Sequence, residues 1–213
     1  MPDIHTGSWN GDRATLQKAV DLINAQQTDL IVFTGDIVNT KASELEPFEN
    51  ILAQLKAPDG VFSILGNHDY GPYHNWPTTE AQDQNIRDVQ NKQASMGWQL
   101  LNNDHVILKR ATDSIALIGV ENNGEPPFSQ YSDLPKAMEG TEQCSFKLLL
   151  TLRTDAGKYS TRTSTSCWRV TPTPCNSPSD DFPRPNSCTQ NGVGSIWKVN
   201  KVCTSTSGWD ISD

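Results

Sequence analysis

The sequence predicts an α/β protein built on a layered sheet. Three observations carry that expectation. Short apolar, β-branched runs alternate with amphipathic segments along the first 150 residues. Two of the runs end directly in polar loops containing glycine and aspartate. Strands alternating with helices cover both faces of a sheet and leave the loops at its edge.

The elements follow in order. Residues 11–27 place Leu16, Val20, Leu22 and Ile23 broadly along one side at helical spacing. The run DLIVFTGDIV, residues 29–38, reads as a buried strand with a loop at its carboxyl end. Residues 42–55 read as helix again, with Leu45, Phe48, Ile51, Leu52 and Leu55 inward. GVFSILGNHD, residues 60–69, repeats the pattern of strand then polar loop. A polar helix over 78–96 comes next, then WQLLNN and a hairpin from HVILKR to SIALIGV turned at Thr112-Asp113. FKLLL, residues 146–150, is a further buried strand.

Composition narrows the function classes. The chain has 213 residues, a net charge of -8 and a pI of about 4.9. Such a balance disfavours nucleic acid as a partner, which wants a basic face. No apolar run approaches the roughly 20 residues of a membrane span. All five Cys lie from Cys144 onward, and an odd count without CxxC spacing signals neither a disulfide framework nor a zinc site.

After Leu150 the character changes. Of the 63 residues from Thr151, 20 are Ser or Thr and only 8 are Leu, Ile, Val or Phe. That is little apolar surface to set against ordering entropy. Residues 1–150 are therefore expected to form the α/β domain, and 151–213 a Ser/Thr/Pro-rich region that is non-native or poorly structured.

Three short motifs carry the chemistry: Asp3 and His5 in DIH, Gly35-Asp36, and Gly66 to Asp69 in GNHD. Each alone is ordinary turn or cap chemistry. In this order and spacing they resemble the calcineurin-like metallophosphoesterases, over residues 1 to about 150. The resemblance implies an incomplete layered α/β sandwich that hydrolyses phosphate mono- or diesters with two divalent cations, of Mn, Fe, Zn or Mg. It implies Asp36 as the bridging ligand, Asp3 and His5 on one cation and Asn67 on the other. His68 is then the acid that protonates the leaving group. His74, in a Pro/Gly/aromatic loop, and His105, opening a hairpin strand, take no role. Trp9, Trp76 and Trp98 are expected to pack rather than stack on substrate.

The resemblance also implies histidines that this chain does not have, because its last His is His105. They belong in a short loop after a strand such as FKLLL and in a later Gly-His-x-His. Ser166 to Ser177, SCWRVTPTPCNS, permits LMLAGHTHAMQF when its possible codons are taken one nucleotide earlier. KVCTSTSGWDI, from Lys201, permits GMYVNLGVGY by the same shift. The expectation is a frameshifted reading from about Thr151, and a start that lacks the strand the family sets before DIH. Loss of three histidine ligands implies weak cation binding and little turnover. The expected substrate is a small-molecule or lipid-linked phosphoester, and the expected location is cytoplasmic by default, with a membrane-associated parent protein allowed by the resemblance. The alternative is a non-catalytic binding protein with relic metal loops.

Overall fold

The computed structural model describes residues 3–110, 113–124, 130–144 and 146–153, together with the backbone of 164–169. The elements are α1 (Arg13–Ala25), β1 (Ile31–Phe33), α2 (Glu49–Leu52), β2 (Val61–Ser63), α3 (Thr79–Ser95) and β3 (Gln99–Leu100). They continue with β4 (Asp104–Arg110), β5 (Asp113–Gly119), α4 (Leu134–Met138), β6 (Phe146–Arg153) and β7 (Ser164–Arg169).

Two sheets form. The first is parallel, in the order β1-β2-β3, and the second runs β4-β5-β6-β7. In the second, β4 and β5 pair antiparallel from Asp104 opposite Gly119 to Arg110 opposite Asp113, as expected of the hairpin. Thr112 of its turn lies outside the described residues. β6 then joins β5 in parallel, with Leu148 opposite Leu117.

β1 and β2 are short and largely buried because both their faces are covered. Successive side chains point to opposite faces. Ile31 and Phe33 therefore pack under α1 and α2 with Leu16, Val20 and Leu52. Their neighbours Val32 and Phe62 turn the other way. There they meet Leu117, Leu148, Leu150 and Leu152 of the second sheet, so this cluster is the seam between sheets. Ala116, Ile118 and Leu149 face outward to Ala137 and Leu134 of α4. The result is a helix–sheet–sheet–helix sandwich.

Local sequence explains the helix ends. Asp12 caps α1 by accepting the Thr15 N–H at 3.1 Å, and Thr78 caps α3 by accepting the Ala81 N–H at 3.2 Å. The helix expected over 42–55 is instead a 3₁₀ turn, Ala42–Leu45, followed by the single turn of α2. Pro47 stands between them, and its missing N–H interrupts the helical ladder. The inward set Leu45, Phe48, Ile51, Leu52 and Leu55 is nevertheless buried.

β6 continues to Arg153, three residues past the boundary set from composition, and pairs antiparallel with β7. Of the shifted-frame stretches, the backbone of 166–169 belongs to β7, whereas 170–177 and all of 201–211 lie outside the described residues. No helix among the described residues is long and apolar enough to cross a membrane.

Leu117 is fully buried at the seam. Leu117→Ala should destabilise the domain by about 2–5 kcal/mol, read from urea unfolding midpoints at unchanged m-value.

Candidate metal centre

Because β1 and β2 are parallel neighbours, with Phe33 opposite Ser63, the loops that leave them emerge side by side. Residues 3–6 lie along the first loop. The Asp3 N–H donates to the Gly35 carbonyl at 3.2 Å and the His5 N–H to the Asp36 carbonyl at 3.0 Å. Thr6 donates to the Ile37 carbonyl from both its N–H and its hydroxyl, each at 3.0 Å.

The buried Asp69 carboxylate locks the two loops together. Its Oδ2 accepts the N–H groups of Asp36 at 2.8 Å and Gly66 at 2.9 Å. Its Oδ1 accepts those of Ile37 at 2.9 Å and Val38 at 3.2 Å. A methyl group on Gly66 would collide with Asp36 Oδ1, and the two glycines, Gly35 and Gly66, touch backbone to backbone.

On this frame three of the expected site residues, His5, Asp36 and His68, come together, and Asp3 stays outside that triad. Asp36 is fully buried; its Oδ1 accepts the His68 N–H at 2.9 Å, and its Oδ2 stands 4.0 Å from His5 Nε2. One ligand atom each from His5, Asp36 and His68 lies within 4.8 Å of the others. The His5 and His68 rings meet edge to face with centroids 4.5 Å apart. His68 Nδ1 lies 2.8 Å from the Asn39 carbonyl, so Nδ1 carries the proton and donates it there. Nε2 is left for chemistry. Asp3 lies against Asp36 with a hydrogen-bonding side-chain contact. Asn67 is buried next to His68, and its Nδ2 donates to the Tyr73 hydroxyl at 2.7 Å. Asp3, His5 and Asp36 all hold the left-handed backbone, at φ 51°, 48° and 59°. That conformation is uncommon outside glycine and gathers at functional sites.

The electrostatics are those of carboxylates crowded away from water. Burial pushes the Asp36 carboxyl up to about 8, helped by the Asp69 and Asp3 carboxylates and opposed by the His68 N–H. Burial also raises Asp3, against its contact with Asp36 and the nearby His68. Asp69 is pushed up to about 6 by burial, while its backbone N–H partners pull the other way. His5 is lowered, by burial and then by the charge of His68.

Three buried oxygens, Asp3 Oδ1, Asp36 Oδ2 and Asn67 Oδ1, have no hydrogen-bond partner. Unsatisfied buried acceptors are costly, and these three are hard oxygen donors beside imidazole nitrogens. A divalent cation of the Mn, Fe, Zn or Mg type satisfies that donor set. The residues present therefore fit a cation.

Reading motifs alone left out Asp69, Asn39 and Tyr73. Asp69 stood inside the quoted GNHD; Asn39 contributes only a carbonyl, and Tyr73 comes from a loop without pattern. His74 and His105 stay outside the cluster, His74 packing on Trp76 at 4.8 Å and His105 pairing opposite Ile118. Trp9 and Trp76 donate to the Ile4 and Gly71 carbonyls, both at 2.7 Å, and Trp98 is buried, all consistent with packing.

The structure is thus a double-layered sandwich with a carboxylate–imidazole cluster on the rim of its parallel sheet. The chain belongs to the calcineurin-like phosphoesterase family, whose model matches residues 1–138. It is 29% identical over 125 residues to a transmembrane protein with metallophosphoesterase domain from Danio rerio, covering 57% of this chain and 26% of that protein. It is 38% identical over 74 residues to the UDP-2,3-diacylglucosamine pyrophosphatase LpxG of Chlamydia muridarum, covering 34% of this chain and 22% of that one. The chain thus spans about a quarter of the length of these relatives. A solved structure of the Thermus thermophilus sulfate thiohydrolase SoxB aligns at a TM-score of 0.39 and 14% identity, over 67% of this chain and 29% of that one.

Asp69→Ala strands the N–H groups of both loops and should cost about 1–3 kcal/mol for each buried donor left unsatisfied, read in chemical denaturation. Gly66→Ala should destabilise the same loops, measured as faster amide exchange at Ile37 and Val38.

Proposed function

We propose that this chain derives from a two-cation hydrolase of phosphate mono- or diesters, and that as it stands it holds cations weakly and turns over little. The single observation that supports the reading is the clustering of His5, Asp36 and His68, with buried Asp3, Asp36 and Asn67 oxygens that have no hydrogen-bond partner. Asp3, His5, Asp36 and Asn67 would hold the cations. When bound, such cations supply Lewis acidity and a water acidic enough to ionise near neutral pH. The remaining work falls to the protein. His68 would present Nε2 to the substrate because Nδ1 is held by the Asn39 carbonyl; with both ring nitrogens protonated it would give the Nε2 proton to the leaving oxygen and return to the neutral ring protonated at Nδ1. Asp69 would keep both loops in place throughout.

The impaired turnover follows from the sequence, which has no His beyond His105. Losing outer partners of a metal site commonly costs 10–100-fold, and losing direct ligands costs more. The shifted-frame stretches support one cause for the missing histidines and the Ser/Thr-rich composition of residues 151–213. Nucleotide sequencing across codons 144–160 tests this; an intact frame unable to encode those histidines overturns it. A small or lipid-linked phosphoester remains the proposed substrate class, in keeping with the lipid-linked nucleotide in the name of the chlamydial relative. The second reading, a binding protein with relic loops, draws on the same missing ligands.

A Mn²⁺ titration by calorimetry separates the two. Binding that Asp36→Ala abolishes supports the cation site, and no binding at all favours the relic. Robust phosphodiesterase turnover by the purified 213-residue chain with Mn²⁺ would overturn the impaired-enzyme reading.

The pH dependence has a definite sign. Asp36 rises from an ordinary 3.8 to about 8 on folding, so the folded state favours its protonated form. The cation-free protein should therefore lose stability as pH climbs from about 4 to 8, with Asp69 adding loss between about 4 and 6. Cation binding displaces the Asp36 proton, so apparent Mn²⁺ affinity should rise by up to about tenfold per pH unit below 8. Melting curves with and without Mn²⁺ at pH 5, 6.5 and 8 check both trends.

A further inference from the structure

Tyr73 lies outside every motif, yet it touches two of the site residues at once. Its hydroxyl oxygen accepts the Asn67 Nδ2–H at 2.7 Å, and its ring lies over His68 with centroids 4.4 Å apart and planes tilted by 35°. Asn67 itself is only 4% exposed, and its Oδ1 has no protein partner.

An amide presents an oxygen on one side and an NH₂ on the other, and a half-turn about its last bond exchanges them. Only the oxygen can ligate a cation. An NH₂ turned toward the pocket would instead bring positive charge to the place a cation should take. Something must therefore hold the amide in one sense. The carboxylates of Asp3 and Asp36, as acceptors, would favour the wrong one. Tyr73 supplies an acceptor on the far side, where the NH₂ has to go.

We propose that Tyr73 is a positioning residue for the cation site: by accepting the Asn67 amide hydrogen it keeps Asn67 Oδ1 turned toward the metal pocket, and its ring braces His68. The chain supports the same division of labour on the other side of His68. There the Asn39 carbonyl fixes the ring through Nδ1, so the imidazole is held by a hydrogen bond at one nitrogen and by an aromatic face. Tyr73 is half exposed, at 50%. It contributes little to the core, and its loss should disturb the site rather than the fold.

This inference rests on the cation reading of the site, and its test has one arm that does not. Tyr73→Phe keeps the ring over His68 and deletes only the acceptor. In the full chain it should weaken Mn²⁺ binding about tenfold in calorimetry, at the low end of what lost outer partners cost, with an unchanged unfolding midpoint. Tyr73→Ala should weaken it further. Equal Mn²⁺ affinity in Tyr73→Phe and the parent chain would overturn the proposal. The second arm uses ¹⁵N-labelled, cation-free protein and follows the Asn67 side-chain amide protons. In Tyr73→Phe the bonded proton should move upfield and exchange faster. Should the parent chain bind no Mn²⁺, the cation reading fails on its own account and this arm decides: unchanged Asn67 amide protons sink the positioning role, and a shift sustains it.

Discussion

The Asp69 carboxylate is the constraint on which the rest of the site depends. Four backbone N–H groups from two loops end on its two oxygens. None of them has a strand partner to turn to, because each lies just past the end of a three-residue strand. One buried anion therefore does the work that further sheet hydrogen bonds would do elsewhere. It does so at the rim, where Asp36 and His68 meet His5. The arrangement also sets a second carboxylate close to Asp36. Like charges in a buried space need compensation, and a cation is the compensation this donor set offers.

Sandwich and rim belong to one design. β1 and β2 could be short because both faces are sealed, one by α1 to α3 and the other by the second sheet. Close approach of glycines at 35 and 66 then lets the two loops stack without side chains between them. Asp3 and His5 join by backbone hydrogen bonds to the first loop rather than through a strand of their own. Their placement is thus carried by the Gly35–Ile37 backbone, and anything that loosens that loop loosens them.

Much of this was legible in the sequence. The β-branched runs at 31–33 and 61–63 announced strands covered on both sides, and the amphipathic segment over 11–27 and the polar segment over 78–96 gave the extents of α1 and α3 to within two residues. The region 42–55 misled, since its apolar spacing fits a helix while Pro47 forbids a continuous one; the same side chains are buried by two short turns. The candidate cluster was legible because its residue types are distinctive in chemistry and fall at strand ends. Asp69 and Tyr73 were not, for a physical reason. Their roles depend on which groups converge on them across about 30 residues of chain or a patternless loop, and only the folded backbone determines that.

The left-handed backbone at Asp3, His5 and Asp36 has an evolutionary consequence. At these positions glycine would relieve conformational tension while erasing a donor. Drift toward a sturdier protein and drift away from chemistry therefore run in the same direction. A lineage released from selection for hydrolysis should accumulate those replacements first, so a survey of natural variants at these three positions would reveal whether the chemistry is still under selection.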